Sequence, residues 1–186
     1  MSPNEPSPNE YSPDEASSGP PSSTDGPASR PPLGEPPSGP YSVDRLIRFQ
    51  HCDPAGIVFY PQYLFMLNEV LEDWFEEHLG IDYAGMFTTR RIGIPTIRLE
   101  CDFVGPSRVG DRVRFSLDLR RIGKSSFELH YLCAGVEKSD VRVRMRAVLV
   151  FMSLTSHTSV PVPEDIRAAM ERCLNPATDP SADGAR

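Results

Sequence analysis

Between Ile97 and Phe151 the chain alternates apolar with polar residues in four successive runs, and this period of two limits the fold more than any other feature. Ile97, Leu99, Cys101 and Phe103 alternate with Arg98, Glu100 and Asp102, and Val113, Phe115, Leu117 and Leu119 with Arg112, Arg114, Ser116, Asp118 and Arg120. Phe127, Leu129, Tyr131 and Cys133 obey the same rule, as do Val141, Val143, Met145, Ala147, Leu149 and Phe151. Side chains on a strand point alternately to opposite faces, so each run predicts a strand with one buried face. The connections at 105–111 (GPSRVGD) and 123–126 (GKSS) are short and rich in turn formers, which suits antiparallel neighbours. A weaker strand signal at Val43, Ile47 and Phe49 precedes them, broken by Arg45 and Arg48.

A sheet with one apolar face needs a cover, and a single long segment can supply it. From 61 to 79 the apolar residues Tyr63, Leu67, Val70, Leu71, Trp74 and Leu79 recur every three or four positions. Pro61 suits a first helical turn and Gly80 a C-terminal stop. Shorter helical stretches are expected near 83–87 and, after Pro161 and Pro163, near 164–173. The pattern therefore predicts an α+β domain, a curved antiparallel sheet wrapped around one long helix.

Composition sets the boundaries of that domain. Residues 1–40 open with a five-residue repeat, SPNEP SPNEY SPDEA, and continue rich in Pro, Ser and Gly with almost nothing apolar to bury. Such a stretch cannot offset the entropy of ordering and is expected to be a disordered acidic tail. Residues 41–175 are assigned to the folded domain and 176–186 to a flexible C-terminus. The tail carries a net charge of −5, leaving −2 for the rest, which argues against a nucleic-acid partner. Ten basic residues between Arg108 and Arg146 face five acids, a run that mostly reads as solvated outer strand faces. No apolar run reaches membrane-spanning length and the N-terminus lacks the features of a secretory signal, so no membrane association and a cytoplasmic location are expected. The four cysteines, Cys52, Cys101, Cys133 and Cys173, are scattered without a CxxC pair and suggest neither a metal site nor a disulfide framework.

Between the first strand and the long helix lies HCDPAGIVFYPQY, residues 51–63. An Asp before Pro is a common turn opener that caps local backbone N–H groups, and this is the plain reading of Asp53. Its surroundings admit another. Pro54, Ala55 and Gly56 let a second molecule approach the backbone, and the helix that follows begins with unpaired N–H groups and a positive dipole end near Tyr60. Such donors can hold an oxyanion while a nearby carboxylate attacks or activates water.

The stretch FQHCDPAGIVFYPQY, with GIPT at 93–96 and KSSF at 124–127, closely resembles the 4-hydroxybenzoyl-CoA thioesterase family of the hotdog fold, over roughly residues 43–165. The resemblance implies a hotdog domain, an acyl-CoA substrate hydrolysed to free acid and CoA, no cofactor, and a homodimer or homotetramer with the site between subunits. It carries over Asp53 as the catalytic carboxylate and the Tyr60 backbone N–H as the donor to the thioester oxygen. Family members place a dense basic cluster before the Ser-aromatic step. Here Lys124 stands there alone, with Arg120 and Arg121 slightly earlier, and these three are the candidates for the CoA phosphates. His51 and the helix acid Glu69 are auxiliary candidates, each with a plainer structural reading. The acyl group is aromatic by resemblance, with short aliphatic groups open. Two rival functions remain at this stage: a non-catalytic acyl-CoA-binding module, and a thioesterase for acyl groups carried on a protein.

Overall fold

The computed structural model describes residues 41–174; the expected tail and the C-terminal segment lie outside the described residues. Strand β1 (Tyr41–Leu46) leads through a short 3₁₀ turn at Phe49–His51 into helix α1 (Tyr60–Asp73), which continues as a wider, π-helical turn from Trp74 to Leu79. Helix α2 (Tyr83–Thr88) and the short strand β2 (Ile92–Gly93) follow. Then come β3 (Thr96–Phe103), β4 (Arg112–Ile122), β5 (Ser126–Gly135), β6 (Val141–Val150), the short β7 (Met152–Ser153) and helix α3 (Glu164–Cys173). Five strands form one antiparallel sheet in the order β1-β4-β5-β6-β3, and β2 pairs with β7 in a second, two-stranded one.

The two sequence periods build this directly. Along β5 buried and half-buried residues alternate without a break, and β6 follows the same pattern over most of its length. Their apolar sets face one side, where Phe115, Leu117, Leu129 and Met145 meet the buried stripe of α1, namely Tyr63, Met66, Leu67, Val70 and Leu71. The stripe continues into Trp74 and Phe75, which contact each other edge to face at 5.3 Å, and Phe75 meets Phe127 edge to face at 6.3 Å. Gly80 closes the helix in the left-handed conformation, φ 69°, and donates its N–H to the Phe75 carbonyl. Helix α3 buries Ile166, Ala169 and Met170 and sits over the β4–β5 turn, where Val162 donates to the Lys124 carbonyl at 3.0 Å.

Three details depart from the sequence pattern. The first strand ends at Leu46 rather than Phe49, because the chain turns into the 3₁₀ segment and leaves Phe49 exposed. The β2–β7 pair has no sequence signal, since two residues per strand are too few for a period. Strand β3 is an edge of the sheet, hydrogen-bonded only to β6 among the described residues, so Ile97, Leu99 and Phe103 are exposed despite their regular alternation.

The outer face carries charge in cross-strand pairs. Arg146 holds Glu128 through two bonds, Nε to Oε1 at 2.8 Å and Nη2 to Oε2 at 3.1 Å, and His130 Nε2 lies 2.9 Å from the same carboxylate. Burial pushes the Glu128 carboxyl up, but the bonds to Arg146 and His130 outweigh it and bring it below its ordinary value of 4.5. A carboxyl whose folded pKa is depressed stabilises the fold above its unfolded pKa and loses that contribution as pH falls. Glu128→Gln is therefore expected to cost about 1 kcal/mol near neutral pH. The difference from the parent should shrink as pH falls below about 4.5, as urea titrations at several pH values would reveal. Phe75→Ala, at the fully buried meeting point of helix and sheet, is expected to cost about 3–5 kcal/mol by the same measurement.

Candidate active site

The loop between β1 and α1 is tied at both ends. The Asp53 N–H donates to the Ile57 carbonyl and the Gly56 N–H to the Asp53 carbonyl, both at 2.9 Å, with Gly56 in the left-handed region at φ 73°. Asp53 Oδ1 accepts the Ala55 N–H at 2.8 Å, so half of the carboxylate performs the plain turn-capping role. Its other oxygen has no hydrogen-bond partner among the described residues, and the side chain is half-buried.

Past the turn the chain doubles back, with Cys52 and Val58 bridged antiparallel and the Phe59 N–H donating to the His51 carbonyl at 2.9 Å. Helix α1 starts immediately after. Pro61 has no N–H to offer and the Gln62 N–H is taken by the Phe59 carbonyl at 2.8 Å, while the Tyr60 N–H has no acceptor among the described residues. The arrangement holds a free carboxylate oxygen and a free helix-start N–H on one short, doubly tied loop.

What fixes this loop against the sheet is Ser107, a residue the sequence did not single out. Ser107 is 0% exposed; its carbonyl accepts the Val58 N–H at 2.9 Å and its hydroxyl accepts from the Tyr63 hydroxyl at 2.8 Å. One serine thus joins the loop, helix α1 and the β3–β4 connection. That connection is held in turn by Arg142, which donates to the Pro106 carbonyl and pairs with Asp111 at 3.5 Å and Asp140 at 3.1 Å. Only a pattern spanning 44 residues would have revealed the Tyr63–Ser107 bond, and no local signal carries it.

The remaining candidates fall in different places. The His51 Nδ1 accepts the Arg48 N–H at 3.0 Å, a turn contact, and no hydrogen bond joins the ring to Asp53. The Cys52 thiol is pushed up by burial and by the negative charge of Asp53 and Asp111, which keeps it protonated and unsuited to nucleophilic attack. Glu69 is exposed on α1 and lines an open groove with Pro61, Leu64, Phe65 and Asn68. Among the aromatic residues of this stretch, Tyr63 and Trp74 are core, whereas Phe59 and Tyr60 are exposed.

The three phosphate candidates are not near Asp53 within one chain. Arg120 is paired with Asp118 at 2.8 Å, and Arg121 and Lys124 are exposed around the β4–β5 turn. That turn is at the far end of β4 from the 105–111 connection, about 30 Å away for a strand of 11 residues.

A deeper cleft of about 120 Å³ opens between α1 and the β3–β6 edge of the sheet. Leu64, Leu71, Met145 and Leu149 supply much of its apolar wall, and Asn68, Thr96 and Tyr131 its polar side chains.

Comparison with known proteins identifies the family and the fold. The model of the thioesterase-like superfamily matches residues 47–170. A 1,4-dihydroxy-2-naphthoyl-CoA hydrolase of Nostoc punctiforme is 29% identical over 121 residues, 65% of this chain and 81% of that protein. Its namesake in Synechocystis is 24% identical over 133 residues, 71% and 95% of the two chains. Among solved structures, a 1,4-dihydroxy-2-naphthoyl-CoA thioesterase from Synechocystis superposes with a TM-score of 0.66 at 22% identity, over 70% of this chain and 94% of that one. A gentisyl-coenzyme A thioesterase superposes at 0.62 with 25% identity, over 69% and 98%. With its sheet wrapped around one long helix and more than half its length matched, the chain belongs to the thioesterase-like superfamily of hotdog domains.

Proposed function

We propose that this protein is an acyl-CoA thioesterase that hydrolyses an aromatic acyl-CoA to the free acid and CoA. The observation that carries the reading is that Asp53, with one free carboxylate oxygen, and the unpaired helix-start N–H of Tyr60 share one short loop fixed by hydrogen bonds at both ends. The Tyr60 N–H polarises the thioester carbonyl and holds the oxyanion that forms on attack, assisted by the positive end of α1. Asp53 either attacks the carbonyl carbon, expelling CoA as its thiolate and leaving an anhydride that water hydrolyses, or draws a proton from a water whose attack breaks the C–S bond and releases the CoA thiolate. The substrate names of the relatives, dihydroxynaphthoyl and gentisyl, favour an aromatic acyl group over a short aliphatic one.

The reading includes a pair of subunits. Edge strand β3 exposes Ile97, Leu99 and Phe103, and an unpaired apolar edge is a pairing surface. Two copies joined antiparallel through β3 about a twofold axis set the Thr96 end of one strand against the Phe103 end of the other. The same operation carries the β4–β5 turn of each copy, with Lys124 and Arg121, toward the end of the sheet where the other copy holds Asp53. In this pair the basic turn lies at the same end of the paired sheet as the other copy's Asp53, where it is placed to steady CoA phosphates.

Asp53→Asn keeps the turn's acceptor oxygen and is expected to lower kcat by about 10²–10⁴-fold with unchanged circular dichroism. Release of free CoA thiol from aroyl-CoA substrates measures it, and full retained turnover would overturn the assignment. Sedimentation at micromolar concentration is expected to give at least a dimer of the 20.7 kDa chain; a monomer would contradict the paired site.

A further inference from the structure

One residue of β6 stands out of register with the strand beside it. Cys133 on β5 pairs with Val143 and Ala134 with Val141, so Arg142 is an extra residue with no partner on β5. Such a bulge bends the strand and re-aims the side chain it carries. Here the guanidinium donates to the Pro106 carbonyl and pairs with Asp111 at 3.5 Å, while Asp140, between β5 and β6, holds it at 3.1 Å. The Arg142 carbonyl accepts the Val104 N–H at 2.8 Å and the Gly105 N–H at 3.1 Å, just past the last β3–β6 partners, Phe103 and Val143. Both ends of one residue thus engage the 104–111 segment, and its side chain is only 16% exposed. Arg114 and Arg146, by contrast, hold acids on adjacent strands.

The site loop is bonded to that same segment. The Ser107 carbonyl takes the Val58 N–H at 2.9 Å, and Arg108 is bridged antiparallel to Ile57. Ahead of the loop, Ile47 donates to the Asp111 carbonyl and accepts from the Gly110 N–H, both at 2.8 Å. Beyond it, the Tyr63 hydroxyl donates to Ser107 at 2.8 Å. Asp53 and Tyr60 lie between Ile47 and Tyr63, and each of these attachments runs through residues 107–111. Arg142 grips that stretch at Pro106 and at Asp111. A planar fork of five donors reaches several oxygens at fixed angles, which a lysine ammonium on a flexible stem does not reproduce. Small displacements matter here, since misplacing reacting groups by about 1 Å costs roughly 10²-fold in rate.

We infer that Arg142 is a positioning residue for thioester hydrolysis: by fixing the 105–111 connection at both ends, it holds the loop of Asp53 and the Tyr60 N–H in the place the reaction needs. The inference rests on the thioesterase reading and deepens it, since the alternation of β6 marks Arg142 as one more charge on a strand face. Arg142 acts through Pro106, Ser107 and Asp111 rather than on the thioester.

The test sets Arg142→Lys against Arg146→Lys, the same change four residues along β6 on an arginine that holds acids of β5 and β3. With an acyl-CoA that the parent turns over, Arg142→Lys is expected to lower kcat by about 10-fold at a KM within about twofold, and Arg146→Lys to leave both within about twofold. Amide hydrogen exchange of the full chains is expected to quicken over residues 52–60 in Arg142→Lys and to stay unchanged along β5. Parent-like kcat in Arg142→Lys, a loss carried by KM alone, or an equal loss in both variants overturns the inference and leaves the thioesterase reading standing. If the parent releases CoA from no acyl-CoA, the thioesterase reading fails and exchange alone decides. Faster exchange confined to residues 52–60 in Arg142→Lys then supports the positioning role, and exchange equal to the parent's overturns it.

Discussion

A five-stranded sheet with one apolar face needs that face covered, and here one helix has to do it. Because α1 and its π-helical continuation fill the concave side with Met66, Leu67, Val70, Leu71, Trp74 and Phe75, the helix axis cannot shift without opening the core. Its first turn is therefore held against the β3–β4 connection. Tyr63 is the polar member of the buried stripe, and its hydroxyl needs a partner there. Ser107 supplies it, and through its own carbonyl Ser107 also binds the loop that carries Asp53. The position of the candidate site follows from the packing of the core, transmitted by two hydrogen bonds on one buried residue.

The charged residues divide along the same surface. Most of the basic run between Arg108 and Arg146 serves the sheet: Arg114 pairs with Asp44, Arg120 with Asp118, Arg142 with Asp111 and Asp140, and Arg146 with Glu128. The Arg114–Asp44 and Arg146–Glu128 pairs join neighbouring strands, where opposite charges add modest stability and fix register, whereas Arg120 and Asp118 pair within β4. Arg142 does more, since by holding the Pro106 carbonyl it supports the connection on which Ser107 sits. Lys124 and Arg121 have no ion pair among the described residues, which agrees with the proposed phosphate role without requiring it.

How much of this the sequence revealed depended on the range of the interaction. The strands, the helix with its Pro61 start and Gly80 stop, and the Asp53 turn are local, set by periods of two and three to four and by residues with restricted backbone angles. They were readable at nearly their true bounds. The Tyr63–Ser107 bond, the exposure of β3 and the pairing of Arg146 with Glu128 depend on which strands are neighbours and which is last. Strand order is a property of the whole chain, so the alternation in β3 looked no different from that in β5 although one is an edge and the other is central.

Phe103 connects the edge strand to the start of α1. It is half exposed at the end of the edge strand, yet its ring contacts both Tyr60, at 5.9 Å, and Tyr63, at 6.0 Å. Tyr60 carries the candidate oxyanion donor and Tyr63 the bond to Ser107. A second strand laid along β3 would cover Phe103 and, by restricting its ring, restrict the helix start as well. In the proposed pair, the contact that removes apolar surface from water also stiffens the first turn of α1. A fixed N–H donor stabilises an oxyanion without reorganising, whereas a mobile one must first be ordered. Pairing through β3 and preorganisation of the Tyr60 donor then have a common physical origin in the burial of one aromatic ring.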